Sequence, residues 1–174
     1  YVSRDPLSEA HNFNPSMIAD YEMPDGQKIR LGKERFQCAE VLFQPSLMGK
    51  EIPGIHELVY QSVERCDVNI RRTLYSTIIL GGGSSMLPGL DKRLQQEIQR
   101  KLPADVRVNV IASPNRAINT WCGGAALAAS DAFQSLWITK EQWRSMGPSC
   151  LHGKCYQWNA AKVVLVSLVY FYLE

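Results

Sequence analysis

Apolar positions first settle into a helical rhythm at Gly54–Cys66, where Ile55, Leu58, Val59 and Val63 share one side and Glu57, Gln61 and Glu64 lie between them. The period then changes. Leu74–Leu80 is rich in β-formers and ends in Ile78-Ile79-Leu80, a run suited to a buried strand. Pro88-Gly89 opens a second helix with Leu90, Leu94, Ile98 and Leu102 at steps of four, and Arg107–Ile111 alternates as a half-buried strand should. A small-residue helix is expected over Gly123–Phe133, and Thr139-Lys140-Glu141-Gln142 reads as a capping box that opens a last short helix. The order helix, strand, helix, strand, helix predicts α/β layering, with at least some parallel pairing in the sheet.

Towards the start, Tyr1–Ala19 is polar, broken by Pro6 and Pro15, and reads as loop with room for one short helix. Tyr21-Glu22-Met23 and Lys28-Ile29-Arg30-Leu31 flank Pro24-Asp25-Gly26-Gln27, good chemistry for a tight turn between two short strands. At the other end, Val163–Leu173 is apolar apart from Ser167 and carries no charge. As a helix it is too short for a bilayer, which takes about 20 apolar residues. It reads either as a buried edge strand or as a segment foreign to the domain, such as a translated intron or readthrough.

Composition narrows the classes. A chain of 174 residues, 45% hydrophobic and 21% charged, is long enough for one ordinary globular domain. A net charge of +2 with scattered Lys and Arg gives no reason to expect nucleic acid, and Arg71-Arg72 reads as a solvated face. Five cysteines without a repeating spacing fit a reducing compartment, and no signal peptide is visible in Tyr1–Asp20. Because the first residue is Tyr, the chain is expected to come from within a longer one.

The chemistry concentrates at Gly81-Gly82-Gly83-Ser84-Ser85, between a strand and a helix. Glycines let backbone N–H groups approach a phosphate or sugar, and a following helix N-terminus favours anions. It is neither G-x-G-x-x-G nor a P-loop, so a tight connection without a ligand remains equally open. Trp121-Cys122-Gly123-Gly124-Ala125-Ala126 reads as close helix packing. Cys150-Leu151-His152-Gly153-Lys154-Cys155 offers too few ligands at poor spacing for structural zinc. His56 reads as a packed or capping residue, and no Ser/His/Asp or Cys/His set stands out, so no catalytic residue and no metal ligand is assigned.

Tyr21-Glu22-Met23-Pro24-Asp25-Gly26, Glu34-Arg35-Phe36, Leu42-Phe43-Gln44-Pro45-Ser46, Gly54-Ile55-His56-Glu57 and Cys66-Asp67-Val68-Asn69-Ile70-Arg71 follow one another in an order that resembles the actin family's. Gly82-Gly83-Ser84-Ser85-Met86, Pro88-Gly89, Trp121-Cys122-Gly123-Gly124, Phe133-Gln134, Trp137-Ile138 and His152-Gly153-Lys154-Cys155-Tyr156 continue the order. The likeness covers residues 21–156 well, 1–20 weakly and 157–174 not at all. It is to the end of the family's sequence, less than half its length.

The resemblance implies an α/β fold: one lobe of the actin/Hsp70/sugar-kinase ATPase fold, with a mixed sheet and flanking helices, incomplete. It implies a cytoplasmic, cytoskeletal parent that binds ATP with Mg2+ or Ca2+ between two lobes and assembles with other actin-like subunits or actin-binding proteins. No membrane and no direct nucleic-acid contact are expected. Gly82, Gly83, Ser84 and Leu87 match nucleotide-side positions, with Leu87 where actins have an aromatic and Ala117 where they have a lysine. Asp25, Leu47, Met48, Asp67, Ile70, Leu127 and Leu136 match filament or partner contacts. The phosphate loops of the family are not among these residues, so tight ATP binding and hydrolysis are not expected of this chain alone. The alternatives are a non-polymerising actin-related scaffold subunit, nuclear if it serves chromatin remodelling or else motor-regulating, a phosphotransferase of the wider superfamily, and a truncated product without independent function.

Overall fold

A computed structural model describes residues 1–151. Helix α1 (Pro6–His11) and a 3-10 turn (Pro15–Met17) precede an antiparallel hairpin of β1 (Ala19–Glu22) and β2 (Lys28–Leu31). Its turn forms as the sequence predicts: Gly26 takes φ +82° and the Asp25 carboxylate accepts from the Gln27 N–H at 3.0 Å. Helix α2 (Glu34–Glu40) leads to a 3-10 turn at Pro45–Met48, then α3 (Ile55–Glu64) and α4 (Val68–Ser76). Strand β3 (Ile78–Ile79), a 3-10 turn (Gly83–Met86), α5 (Leu90–Lys101) and β4 (Val110–Ile111) form a strand–helix–strand unit whose strands pair in parallel. Helices α6 (Asn119–Ala128), α7 (Asp131–Gln134) and α8 (Lys140–Met146) follow, α8 under the expected Thr139–Gln142 capping box.

Three expected boundaries move. Leu74 and Tyr75 belong to α4, because the buried Tyr75 ring packs against Tyr60 of α3 and its hydroxyl donates to Glu64 at 3.0 Å. That tertiary anchor outweighs their β propensity. The strand expected over Arg107–Ile111 pairs only at Val110–Ile111. Upstream, amides of α5 replace a neighbouring strand: Gln95 Nε2 donates to the Val108 carbonyl and Gln99 Nε2 to the Val106 carbonyl, each at 3.0 Å. The small-residue helix starts earlier, at Asn119, and breaks at Ser130, whose hydroxyl turns back onto the Leu127 carbonyl at 2.7 Å.

The core lies among α3, α4, α5 and the parallel strands, where Val59, Val63, Tyr75, Ile78, Leu94, Ile98 and Val108 are buried. The helical rhythms read from the sequence therefore point inward, except that Leu58, expected on the apolar side of α3, is exposed. A contribution from far away joins them: Val2 is buried in this cluster, and its N–H donates to the Pro88 carbonyl at 2.8 Å. Gly89 makes that contact possible, since a Cβ there would stand 2.5 Å from the Val2 carbonyl oxygen and its φ is +86°. Beneath the core runs a buried charge chain. The Arg93 guanidinium meets the Glu40 carboxylate through two bonds of 2.9 Å, Glu97 at 2.7 Å and the Ser3 carbonyl at 2.8 Å. Burial by itself opposes the Arg93 charge, but the hydrogen bonds and charges of Glu40 and Glu97 outweigh it and raise the pKa. By contrast, α6, α7 and α8 contribute no buried residue.

Candidate functional site

Strands β3 and β4 run side by side in the same direction, so the loops leaving their carboxyl ends are neighbours. In open α/β sheets this edge is where ligands gather. The first loop is the glycine turn. Leu80 still pairs with the Ile111 carbonyl at 2.9 Å, and two residues on, Gly82 bends away with φ +87° and ψ 162°. No atom lies within 4 Å of where a Cβ would stand on Gly82 or Gly83, so both glycines face open space. The second loop, Ser113–Ile118, is stapled to the first. Gly82 N–H donates to the Arg116 carbonyl at 2.9 Å, while the Arg116 guanidinium donates to the carbonyls of Ser85 and Ser113, each at 2.9 Å.

This stapling decides which groups can meet a ligand. The Gly82 N–H is committed to Arg116 and the Ser85 hydroxyl to the Gly82 carbonyl at 2.7 Å, with Ser85 buried. Gly83 and Ser84 are exposed and stand at the first turn of the short helix, where backbone N–H groups precede the first intrahelical bond. Those two N–H groups and the Ser84 hydroxyl are the donors on offer. Leu87 is half-buried and packs against the core, while Ala117 is exposed and small. The sequence signal for Arg116 was absent, because only the fold brings it 31 residues back to Ser85.

The other candidate residues fall on separate surfaces. Asp25 sits exposed in the hairpin turn. Leu47, Met48 and Ile52 are 59%, 64% and 58% exposed and form an apolar tip on the loop between α2 and α3. Ile52 escaped the sequence reading because Pro53 follows it in a stretch without period. The Asp67 carboxylate caps α4, accepting from the Asn69 N–H at 2.8 Å, and Ile70 is exposed one turn along. Leu127 of α6 is exposed, and Leu136 is half-buried beside the Phe133–Trp137 edge-to-face pair, whose centroids are 5.1 Å apart. Trp121, in the stretch read as close packing, is 75% exposed, so its glycine-rich helix face touches nothing among the described residues. Cys150 is buried as a free thiol, and residues 152–174, which include Cys155 and the apolar tail, lie outside the described residues.

Comparison with known proteins adds the family. The family model described as Actin matches residues 1–156. A curated relative from Neurospora crassa, described as an actin-like protein, is 40% identical over 159 residues, an alignment that takes in 88% of this chain and 42% of the relative. The chain therefore spans less than half the length of that relative.

Proposed function

The chain belongs to the actin family, and from that premise we propose that it supplies one wall of an ATP site in an actin-like cytoskeletal protein whose intact parent forms filaments. The observation that most supports this reading is the glycine turn at the carboxyl end of β3, stapled by Arg116 to the loop that follows β4. The Gly83 and Ser84 N–H groups and the Ser84 hydroxyl suit phosphate or sugar oxygens. Gly81–Leu87 contains no carboxylate, so Mg2+ or Ca2+ would reach this wall only through the nucleotide's phosphates. When bound, that cation would neutralise phosphate charge; the part of this chain is to orient the nucleotide. Hydrolysis would need groups from the rest of the parent.

The exposed Leu47–Ile52 tip and the turn at Asp25 suit contacts with other actin-like subunits in a cytoplasmic filament. A second reading, a non-polymerising scaffold subunit of a larger complex, is favoured by one observation: Leu87 packs against the core, and the glycine turn of residues 81–87 itself carries no aromatic to cover a base. Pelleting of the intact parent under polymerising salt separates the two. Sedimentable polymer at concentrations where actins assemble supports the filament, and a wholly soluble protein refutes it.

A further inference from the structure

The loop of residues 44–53 leaves the fold at Phe43 and returns at Gly54, and its two feet touch. Ile55 N–H donates to the Leu42 carbonyl at 2.9 Å, and a Cβ on Gly54 would stand 2.2 Å from the Phe43 carbonyl oxygen. The His56 ring then stacks on the Phe43 ring, centroids 5.8 Å apart and planes 23° apart. The Arg93 guanidinium also meets Phe43, 4.7 Å from its centroid. Behind the loop lies a groove of about 1010 Å³ walled by α1, α2 and parts of α3 and α5, lined by Leu7, Gln37, Leu47, Ile52 and His56 among others, so little besides these feet holds the loop in place.

His56 Nδ1 is buried and has no hydrogen-bond partner among the described residues. A neutral imidazole can leave a lone pair there. An imidazolium must carry N–H on both nitrogens, which would bury a charged donor without an acceptor. We propose that His56 is a proton-operated clamp: neutral, it holds the feet of the 44–53 loop together, and protonated, it lets them part.

The charged groups around it do not rescue the imidazolium. Glu57 on α3 is bonded to Lys101 and Gln61, and Glu97 on α5 to Arg93 and Arg100. Lys101 and Arg93 on α5 repel a second cation, and Glu40 on α2 is held by Arg93. Burial dominates and, with Lys101 and Arg93 against Glu97 and Glu57, holds the His56 pKa below its ordinary value. The open loop therefore binds the proton more readily than the closed one. Closure is complete above the ordinary histidine pKa of about 6.5 and weakens as pH falls from there towards the lower closed-state value. The clamp does not depend on what the loop tip touches.

Amide hydrogen exchange of the 174-residue chain, corrected for the pH dependence of the chemical step, reads the opening of residues 43–58. Between about pH 7.5 and about pH 5.5 the opening constant is expected to rise about tenfold, the scale set by a buried donor without a partner. His56→Phe keeps the stack and removes the proton, so its opening should be flat over that range. An unchanged opening constant in the wild type, or an equal rise in the variant, overturns the proposal. Should the variant fail to fold, the His56 ring resonances of the wild type decide: their titration midpoint must coincide with that of loop opening, and a mismatch refutes the clamp.

Discussion

Replacing Arg93 with methionine keeps most of the side-chain stem and removes the charge from the centre of a buried network. The side chains of Arg93 and Glu40 are each only 7% exposed, and they meet at 2.9 Å. At that distance an effective dielectric of about 20 gives an attraction of roughly 6 kcal/mol. Against it stands a desolvation penalty of several kcal/mol for each ion. The net worth of the pair is therefore small, but the cost of breaking it is large, because Glu40 is left buried without its partner. Arg93→Met should cost about 3–5 kcal/mol, a large share of the roughly 5–15 kcal/mol that stabilises a domain. With an m-value of about 1–3 kcal/mol per molar urea, the midpoint should fall by about 1–5 M. The double variant Arg93→Met/Glu40→Met removes the stranded carboxylate, and Glu97 keeps Arg100 as a partner. It should recover most of the loss. A single variant that loses less than about 1 kcal/mol, or a double variant no more stable than the single, would refute the reasoning.

Gly89→Ala forces a Cβ towards the Val2 carbonyl at a left-handed φ, so it should cost about 1–3 kcal/mol and free the N-terminal segment, seen as early proteolysis within residues 1–12. Tyr75 is held protonated first by burial and then by its hydrogen bond to Glu64, which raise its pKa. Stability should accordingly fall as pH rises above about 10, where the unfolded chain loses the phenolic proton first, and Tyr75→Phe should flatten that limb in urea melts. The exposed Trp121 on α6 should drive self-association of the isolated chain, measurable by concentration-dependent light scattering, and Trp121→Lys should reduce it.

Local chemistry made some of this legible. The Pro24–Gln27 turn, the Thr139 capping box and the inward stripe of α5 each follow from residues within a few positions of one another, and each formed as read. The glycine turn was equally visible, yet which of its groups point outward depended on Arg116, which arrives from another loop. Likewise the Arg93–Glu40 pair spans 53 residues, and Val2 reaches the core from the chain's start; no period or spacing announces either. The strand expected at Leu74–Leu80 shrank because a tyrosine with β propensity found a better partner on α3. Family motifs carried the surface residues, and the fold then showed that Asp67 already works as a helix cap.

Calorimetric titration of Mg2+-ATP into the 174-residue chain and into the proposed intact parent tests the proposed nucleotide wall most directly. On the proposed reading the rest of the parent adds at least two charge-assisted bonds to phosphate, worth roughly 3–6 kcal/mol. The isolated chain should therefore bind about a hundredfold to ten-thousandfold more weakly than the parent, with Gly83 and Ser84 contributing to the parent's affinity. Binding by the isolated chain as tight as that of the parent would contradict the account.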